Sequence, residues 1–166
     1  MQDPFLFSGT IGENILKGNK DLSNRDLENI LQVSNCKDLV TRLPEGLDTL
    51  LVSGGASISS GERQLISIAR AFARDPQLIL FDEATSYIDS QTEKKIQVAL
   101  NNLMIKRTSI VVAHRLSTIR SADKIIVLSK GRIIETGTHR WLMDKKGFYF
   151  RLNQWQNQKM SASILP

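Results

Sequence analysis

The sequence predicts an α/β fold built around a parallel sheet. A short apolar run at residues 78–81 is followed by an amphipathic helical pattern at 91–104 and by a β-branched run at 109–113. Parallel strands need such a helical crossover between them, so this order is typical of a parallel sheet. The chain has 166 residues, of which 41% are hydrophobic and 23% charged, which is enough for one domain with a sizeable core.

Helices and a loop are predicted on the N-terminal side of this sheet. Apolar residues at helical spacing, with capping residues nearby, occur in four segments: 10–17, 23–33, 36–43 and 61–74. Residues 43–60 are rich in glycine and serine, which predicts a long surface loop of the kind that binds other molecules.

A hairpin and a helix are predicted on the C-terminal side. Two apolar runs, 124–128 and 132–135, are separated by a turn that contains Gly131. Residues 145–159 have helical and aromatic character, and residues 161–166 are expected to be frayed.

Composition excludes several classes of protein. The apolar runs are far shorter than the roughly 20 residues of a membrane-spanning helix, and no secretory signal is recognisable at the N-terminus. The single cysteine, Cys36, rules out an internal disulfide and offers too few ligands for zinc. The net charge of +5 is scattered, which favours a solvated surface over binding of nucleic acid or an anionic membrane. We therefore expect the isolated chain to be soluble and cytoplasmic.

Two adjacent acids at the end of the first apolar run are the clearest sign of chemistry. Asp82 and Glu83 lie at the carboxyl end of the predicted strand, where open α/β sheets place their ligands. In phosphoryl transfer, one carboxylate holds a magnesium ion and another group orients the attacking water. The pair therefore indicates a nucleotide hydrolase, although acids that cap the next helix would give the same pattern.

The start of the helix at 61–74 also allows two interpretations. Ser59, Ser60 and Gly61 precede the helix, and a helix N-terminus of this kind is suited to binding an anion. Ser59 and Glu62 equally match a capping box, which needs no ligand.

His114 follows the second predicted strand. If the two strands are neighbours, His114 reaches the same sheet edge as Asp82 and can contact a terminal phosphate; otherwise it is an ordinary turn residue. No segment of the chain has the phosphate-binding form G-x-x-x-x-G-K-[ST] that such a strand usually serves.

In their order and spacing, these patterns closely resemble the nucleotide-binding domain of an ABC transporter of the lipid or multidrug exporter type. The matching blocks extend over nearly the whole chain: Gln2 with the segment that follows it, Ser59 to Glu62, 78–83, 86–89, 113–115 and 133–139. The resemblance implies an incomplete P-loop NTPase fold, which consists of a helical subdomain and the C-terminal part of the parallel-sheet core.

The same resemblance divides the chain into segments. Residues 1–76 would form the Q-loop and the helical subdomain that carries the signature motif. Residues 77–160 would form the Walker B, D-loop and H-loop part of the core with its C-terminal hairpin and helix, and residues 161–166 a tail.

The resemblance also implies ATP and Mg²⁺ as cofactors and gives roles to the residues around them. Gln2 would sense the metal and the attacking water, and Asp82 would help to hold the metal. Glu83 would polarise the water, and His114 would contact the γ-phosphate.

The signature motif, Ser59-Ser60-Gly61-Glu62, would bind ATP held by the opposite subunit, and Asp89 would lie in the D-loop at the same interface. The implied partners are a second nucleotide-binding domain in a head-to-tail dimer and the coupling helices of a transmembrane domain, at the cytoplasmic face of a membrane. No nucleic acid is expected.

Departures from the family pattern lead to further expectations. Without a Walker A loop among its 166 residues, the chain alone is expected neither to bind ATP tightly nor to hydrolyse it. Relative to the common form Leu-Ser-Gly-Gly-Gln, Ser60 adds a side chain and Glu62 adds a negative charge near the expected phosphate position. Both strands of the predicted sheet are expected to expose apolar surface and to make the chain prone to association.

The leading hypothesis is an ATP-binding and ATP-hydrolysing part of an ABC exporter. One alternative is a non-catalytic module that offers its signature face to a partner ATPase. Another is a DNA-maintenance ATPase of the wider superfamily, which the short spacing between Gln2 and the signature motif disfavours.

Overall fold

The structure is a computed structural model. It describes residues 5–17, 19, 21–51, 58–82, 88–113 and 119–162, with side chains up to Gln156. The chain forms two compact units, Met1–Ile110 and Val111–Pro166. Within the described segments, no helix is both long and apolar enough to span a membrane.

Residues 9–112 are mainly helical and end in a strand–helix–strand unit. The elements, in chain order, are β1 (Gly9–Thr10), α1 (Ile11–Ile15), α2 (Asn24–Val33), α3 (Lys37–Arg42), a 3₁₀ turn (Gly46–Asp48), β2 (Leu50–Leu51), α4 (Ser60–Arg74), β3 (Leu78–Asp82), α5 (Ser90–Met104) and β4 (Thr108–Val112). The predicted helices and the two predicted strands are confirmed, with small differences at their ends.

Capping residues set the ends of the helices. The Ser23 side chain accepts a hydrogen bond from the Asp26 backbone N–H at 3.2 Å, so α2 starts where the sequence predicts. α1 is shorter than predicted, because it begins after its cap, Thr10, and ends at Ile15. α4 ends at Arg74, because the φ of 44° at its C-cap, Asp75, is incompatible with a continuing helix.

Helices α1, α2, α4 and α5 contribute to the core of the first unit. Their buried apolar side chains include Ile11, Ile15, Leu31, Ile66, Ala69, Ile96 and Leu103. Full burial of an isoleucine or leucine side chain stabilises the fold by about 1.5–3 kcal/mol. This core holds α4 against α5, and the starts of these two helices carry most of the described candidate site residues.

β3 and β4 are neighbours in a two-stranded parallel sheet. On β3, Ile79 is 8% exposed, whereas Leu78 is 60% and Leu80 69% exposed. Alternate side chains point to opposite faces of a strand, and the described residues cover only one face. The expected exposure of apolar surface on both strands is confirmed, since Ile110 on β4 is also exposed.

The second unit contains the predicted hairpin. β5 (Ile125–Ser129) pairs antiparallel with β6 (Arg132–Gly137), and Ser129 lies opposite Arg132 across a two-residue turn. Both turn residues, Lys130 and Gly131, have positive φ values of 49° and 73°, as this type of tight hairpin requires.

Two helices follow the hairpin. α6 (His139–Asp144) was not predicted, and α7 (Phe148–Ala162) begins later than the predicted segment at 145–159. The buried carboxylate of Glu135 on β6 accepts hydrogen bonds from the backbone N–H groups of Phe148 at 3.1 Å and Tyr149 at 2.8 Å. Glu135 thus caps α7 from a distant strand, and it sets the start of that helix.

Candidate functional site

The signature segment forms the N-terminus of α4. Ser59 is the N-cap, and its side-chain oxygen accepts a hydrogen bond from the Glu62 backbone N–H at 3.3 Å. The Glu62 carboxylate accepts one in return from the Ser59 backbone N–H at 2.8 Å. The capping box that the sequence predicts is therefore present, and it fixes the backbone of this segment. Ser60 occupies the first helical position and is partly exposed.

Glu62 has a second partner. Its other carboxylate oxygen pairs with the guanidinium of Arg42, at the end of α3. Burial raises the pKa of the Glu62 carboxyl, but the hydrogen bond from Ser59 and the charge of Arg42 outweigh burial and hold the pKa below its ordinary value. Glu62 is therefore ionised at neutral pH and engaged through both oxygens.

Gly61 packs directly against the start of α5. A Cβ atom at this position would lie 2.4 Å from the Cγ2 of Thr92 and 3.1 Å from the Cγ2 of Ile88. A side chain fits there only if Thr92 and Ile88 shift. The glycine therefore brings the signature segment and the start of α5 into close contact.

Asp89 is the N-cap of α5. Its carboxylate accepts hydrogen bonds from the backbone N–H groups of Thr92 at 2.9 Å and Gln91 at 3.0 Å, and these bonds hold its pKa below the ordinary value. Asp89 is exposed and lies next to Ile88, which approaches Gly61. The structure thus brings together the predicted signature and D-loop residues.

Asp82 is the last residue of β3 and is exposed. Asp82 is not the N-cap of α5, because Asp89 occupies that position. The alternative interpretation, in which the acid at the end of the strand caps the next helix, therefore does not account for Asp82. β3 and β4 are neighbours, which is the strand arrangement that the prediction for His114 requires. Gln2, Glu83 and His114 themselves lie outside the described residues.

The described residues contain no group of three or more histidine, cysteine, aspartate or glutamate side chains arranged to hold a metal ion. Asp82 offers one carboxylate at the end of β3. Such a donor suits Mg²⁺, which is commonly held by one or two carboxylates together with substrate phosphates and water.

Arg42 and Thr92 are site neighbours that the sequence did not indicate. Arg42 precedes its partner Glu62 by 20 residues, and Thr92 meets Gly61 only because α4 packs on α5. Neither contact follows a local spacing rule. The loop prediction for residues 43–60 was the nearest available signal, because this segment joins Arg42 to the signature.

Known proteins match the chain over nearly its full length. The family model for ABC transporter matches residues 1–86. An uncharacterized ABC transporter ATP-binding protein, YfiC of Bacillus subtilis (strain 168), is 50% identical over 159 residues, which cover 96% of this chain and 26% of that protein. A probable multidrug resistance ABC transporter ATP-binding/permease protein, YheH of the same strain, is 46% identical over 164 residues, which cover 98% and 24%.

A solved structure of a bacterial Atm1-family ABC exporter with ATP bound matches with a TM-score of 0.79 and 39% identity, and the match covers 95% of this chain and 27% of that one. The chain thus spans about a quarter of the length of the curated relatives it matches. These matches confirm the predicted fold class, part of an exporter-type ABC ATPase domain. The chain belongs to the ABC transporter family.

Proposed function

We propose that the chain is an ATP-binding and ATP-hydrolysing part of an ABC exporter and couples hydrolysis to transport across a membrane. The observation that carries the proposal is the close approach of Gly61 to Thr92, which leaves no room for a side chain. This contact joins the signature segment to the helix capped by Asp89. In the family pattern, the signature segment binds the ATP held by a second subunit, and Asp89 lies in the D-loop at the same interface.

The reaction centre lies at the end of β3 in this proposal. Asp82 helps to hold Mg²⁺, and Glu83 orients and polarises the attacking water. Gln2 responds to the metal and the water, and His114 contacts the γ-phosphate. When bound, Mg²⁺ offsets the negative charge of the phosphates; the chain contributes the positioning on which phosphoryl transfer mainly depends.

Two partners complete the proposal. A second nucleotide-binding domain packs head to tail, so that Ser59 and Gly61 face its ATP. The coupling helices of a transmembrane domain contact the segment from Phe5 to Thr10, in which Phe5 is 70% exposed. Residues 1–76 act as the helical subdomain and residues 77–160 as part of the catalytic core, at the cytoplasmic face of the membrane.

The chain by itself is proposed to be inactive, because none of its 166 residues form a Walker A loop. The test compares two proteins. One is the purified chain, and the other is a hybrid transporter in which these residues replace the matching segment of the Bacillus subtilis multidrug relative. Magnesium-dependent phosphate release is expected from the hybrid transporter and not from the chain.

The same pair of proteins separates the alternatives. Hydrolysis by the purified chain would contradict the proposed inactivity. A hybrid transporter that loses activity on Ser59→Ala but keeps it on Glu83→Gln would identify a non-catalytic module that only offers its signature face.

A further inference from the structure

The negative charge of Glu62 raises a physical problem for the signature motif. Glu62 stands two residues after Ser60 on the helix that would face a polyanionic phosphate chain. A carboxylate in that position repels the phosphates unless its charge is compensated and its side chain is held in place.

The structure supplies this compensation. One oxygen of Glu62 accepts the Ser59 backbone N–H at 2.8 Å, and the other pairs with the guanidinium of Arg42. The Glu62 side chain is only 17% exposed, so the carboxylate is held close to the helix N-terminus. Both oxygens of Glu62 therefore accept hydrogen bonds, and one of them is paired with the positive charge of Arg42.

Arg42 is well placed for this role. Its side chain is 66% exposed, so the guanidinium pairs with Glu62 while it remains at the protein surface. Arg42 is held on a separate helix, α3, and its guanidinium reaches the third helical residue of α4. Its positive charge therefore lies beside the same carboxylate that accepts the Ser59 backbone N–H.

We propose that Arg42 is a positioning residue of the signature motif, which neutralises and immobilises Glu62 so that Ser59 and Gly61 can receive the phosphates of ATP held by the opposite subunit. This inference rests on the proposed function of the motif and deepens it. It requires that the contribution of Arg42 depend on the charge of Glu62. In the Glu62→Gln variant, no negative charge remains at this position for Arg42 to compensate.

The first experiment uses the 166-residue chain and needs no activity. Carboxyl NMR follows the titration of Glu62 in the parent chain and in Arg42→Ala. The pKa of Glu62 is expected to rise in the variant, because a favourable charge and a hydrogen bond are lost. An unchanged titration of Glu62 would overturn the proposal, since the ion pair would then not exist in solution.

The second experiment is a double-mutant cycle in the hybrid transporter, with kcat/KM for MgATP as the readout. Arg42→Ala is expected to lower kcat/KM by about tenfold, because an unpaired carboxylate then faces the phosphates. Arg42→Ala is expected to have little further effect in the Glu62→Gln background, so Glu62→Gln and the double variant Arg42→Ala/Glu62→Gln should have similar kcat/KM values. Arg42→Lys is expected to retain most of the parent activity.

Two controls separate this outcome from loss of structure. Lys95→Ala breaks another ion pair made by α3, in which the Lys95 Nζ lies 2.8 Å from the Asp38 carboxylate, and should leave kcat/KM unchanged. The melting temperature of Arg42→Ala should stay within about 2 °C of the parent.

The proposal would be overturned if Arg42→Ala lowered kcat/KM by the same factor in the parent and in the Glu62→Gln variant. A parent hybrid transporter without magnesium-dependent hydrolysis would instead contradict the proposed function, while the titration of Glu62 would still decide whether the ion pair forms.

Discussion

The guanidinium of Arg70 donates hydrogen bonds to two oxygens of Asn14, the backbone carbonyl at 2.9 Å and the side-chain amide oxygen at 2.7 Å. A third bond reaches the carbonyl of Phe5 at 3.0 Å. Asn14 is 1% exposed and in turn bonds both the N–H and the carbonyl of Phe7 at 2.9 Å. These bonds fasten the segment before α1 to the far end of α4.

Replacement of Arg70 by methionine should destabilise the chain by about 2–3 kcal/mol, because the oxygens of Asn14 and Phe5 would lose their charged donor. Urea unfolding of the purified variant measures the change. The stability of Arg70→Lys should lie between those of Arg70→Met and the parent, because one ammonium group cannot form the same three hydrogen bonds as the guanidinium. Equal stability of Arg70→Met and the parent would show that these bonds contribute nothing.

Replacement of Gly61 by alanine should destabilise the chain by about 1–3 kcal/mol, because the new Cβ overlaps Thr92. Thermal unfolding measures this change. The double variant Gly61→Ala/Thr92→Ser removes the overlapping methyl group and should recover part of the stability. Gly12→Ala is the matched control, since its Cβ would meet nothing nearer than 3.4 Å. Similar losses at both glycines would contradict the close packing of α4 on α5.

Glu135 should make the stability of the second unit depend on pH. The hydrogen bonds from the N–H groups of Tyr149 and Phe148 hold its pKa below the ordinary value. Because the folded-state pKa is the lower one, the stabilisation is present at neutral pH and is lost as the pH falls through the acidic range.

Glu135→Gln should therefore destabilise the chain at pH near 7 more than at acidic pH. Urea unfolding at several pH values tests this difference, with Asp144→Asn as a control carboxylate in the same unit. Parallel stability curves for Glu135→Gln and the parent would show that Glu135 does not cap α7 through its charge.

Elements with local signals were predictable from the sequence. The capping pairs Ser23–Asp26 and Ser59–Glu62 lie three residues apart, so they determine the starts of α2 and α4 by contacts within one turn. The hairpin was equally predictable, because the turn at Gly131 joins two short apolar runs. In each case, the interacting residues are close in the sequence.

Features that depend on distant residues were not predictable. The pairing of Arg42 with Glu62 spans 20 residues, and that of Arg70 with Asn14 spans 56. A pattern of residue types contains no distance information across such separations. α6 was missed because so short a helix shows little periodicity, although its cap, Thr138, is a typical one.

For the candidate site, the sequence predicted the residue types and the structure supplied their packing. Ser59 and Asp89 were predicted as members of two motifs, and the structure places both as helix caps on adjoining helices. Gly61 was predicted from the motif alone, and its contact with Thr92 gives a physical reason for a glycine.

The most direct test of the central claim is magnesium-dependent phosphate release by the hybrid transporter that carries Glu83→Gln. Loss of the carboxylate proposed to polarise the water should lower the rate by about 100-fold or more while ATP binding is retained. An unchanged rate of phosphate release would contradict the claim that this chain supplies the catalytic carboxylate for ATP hydrolysis.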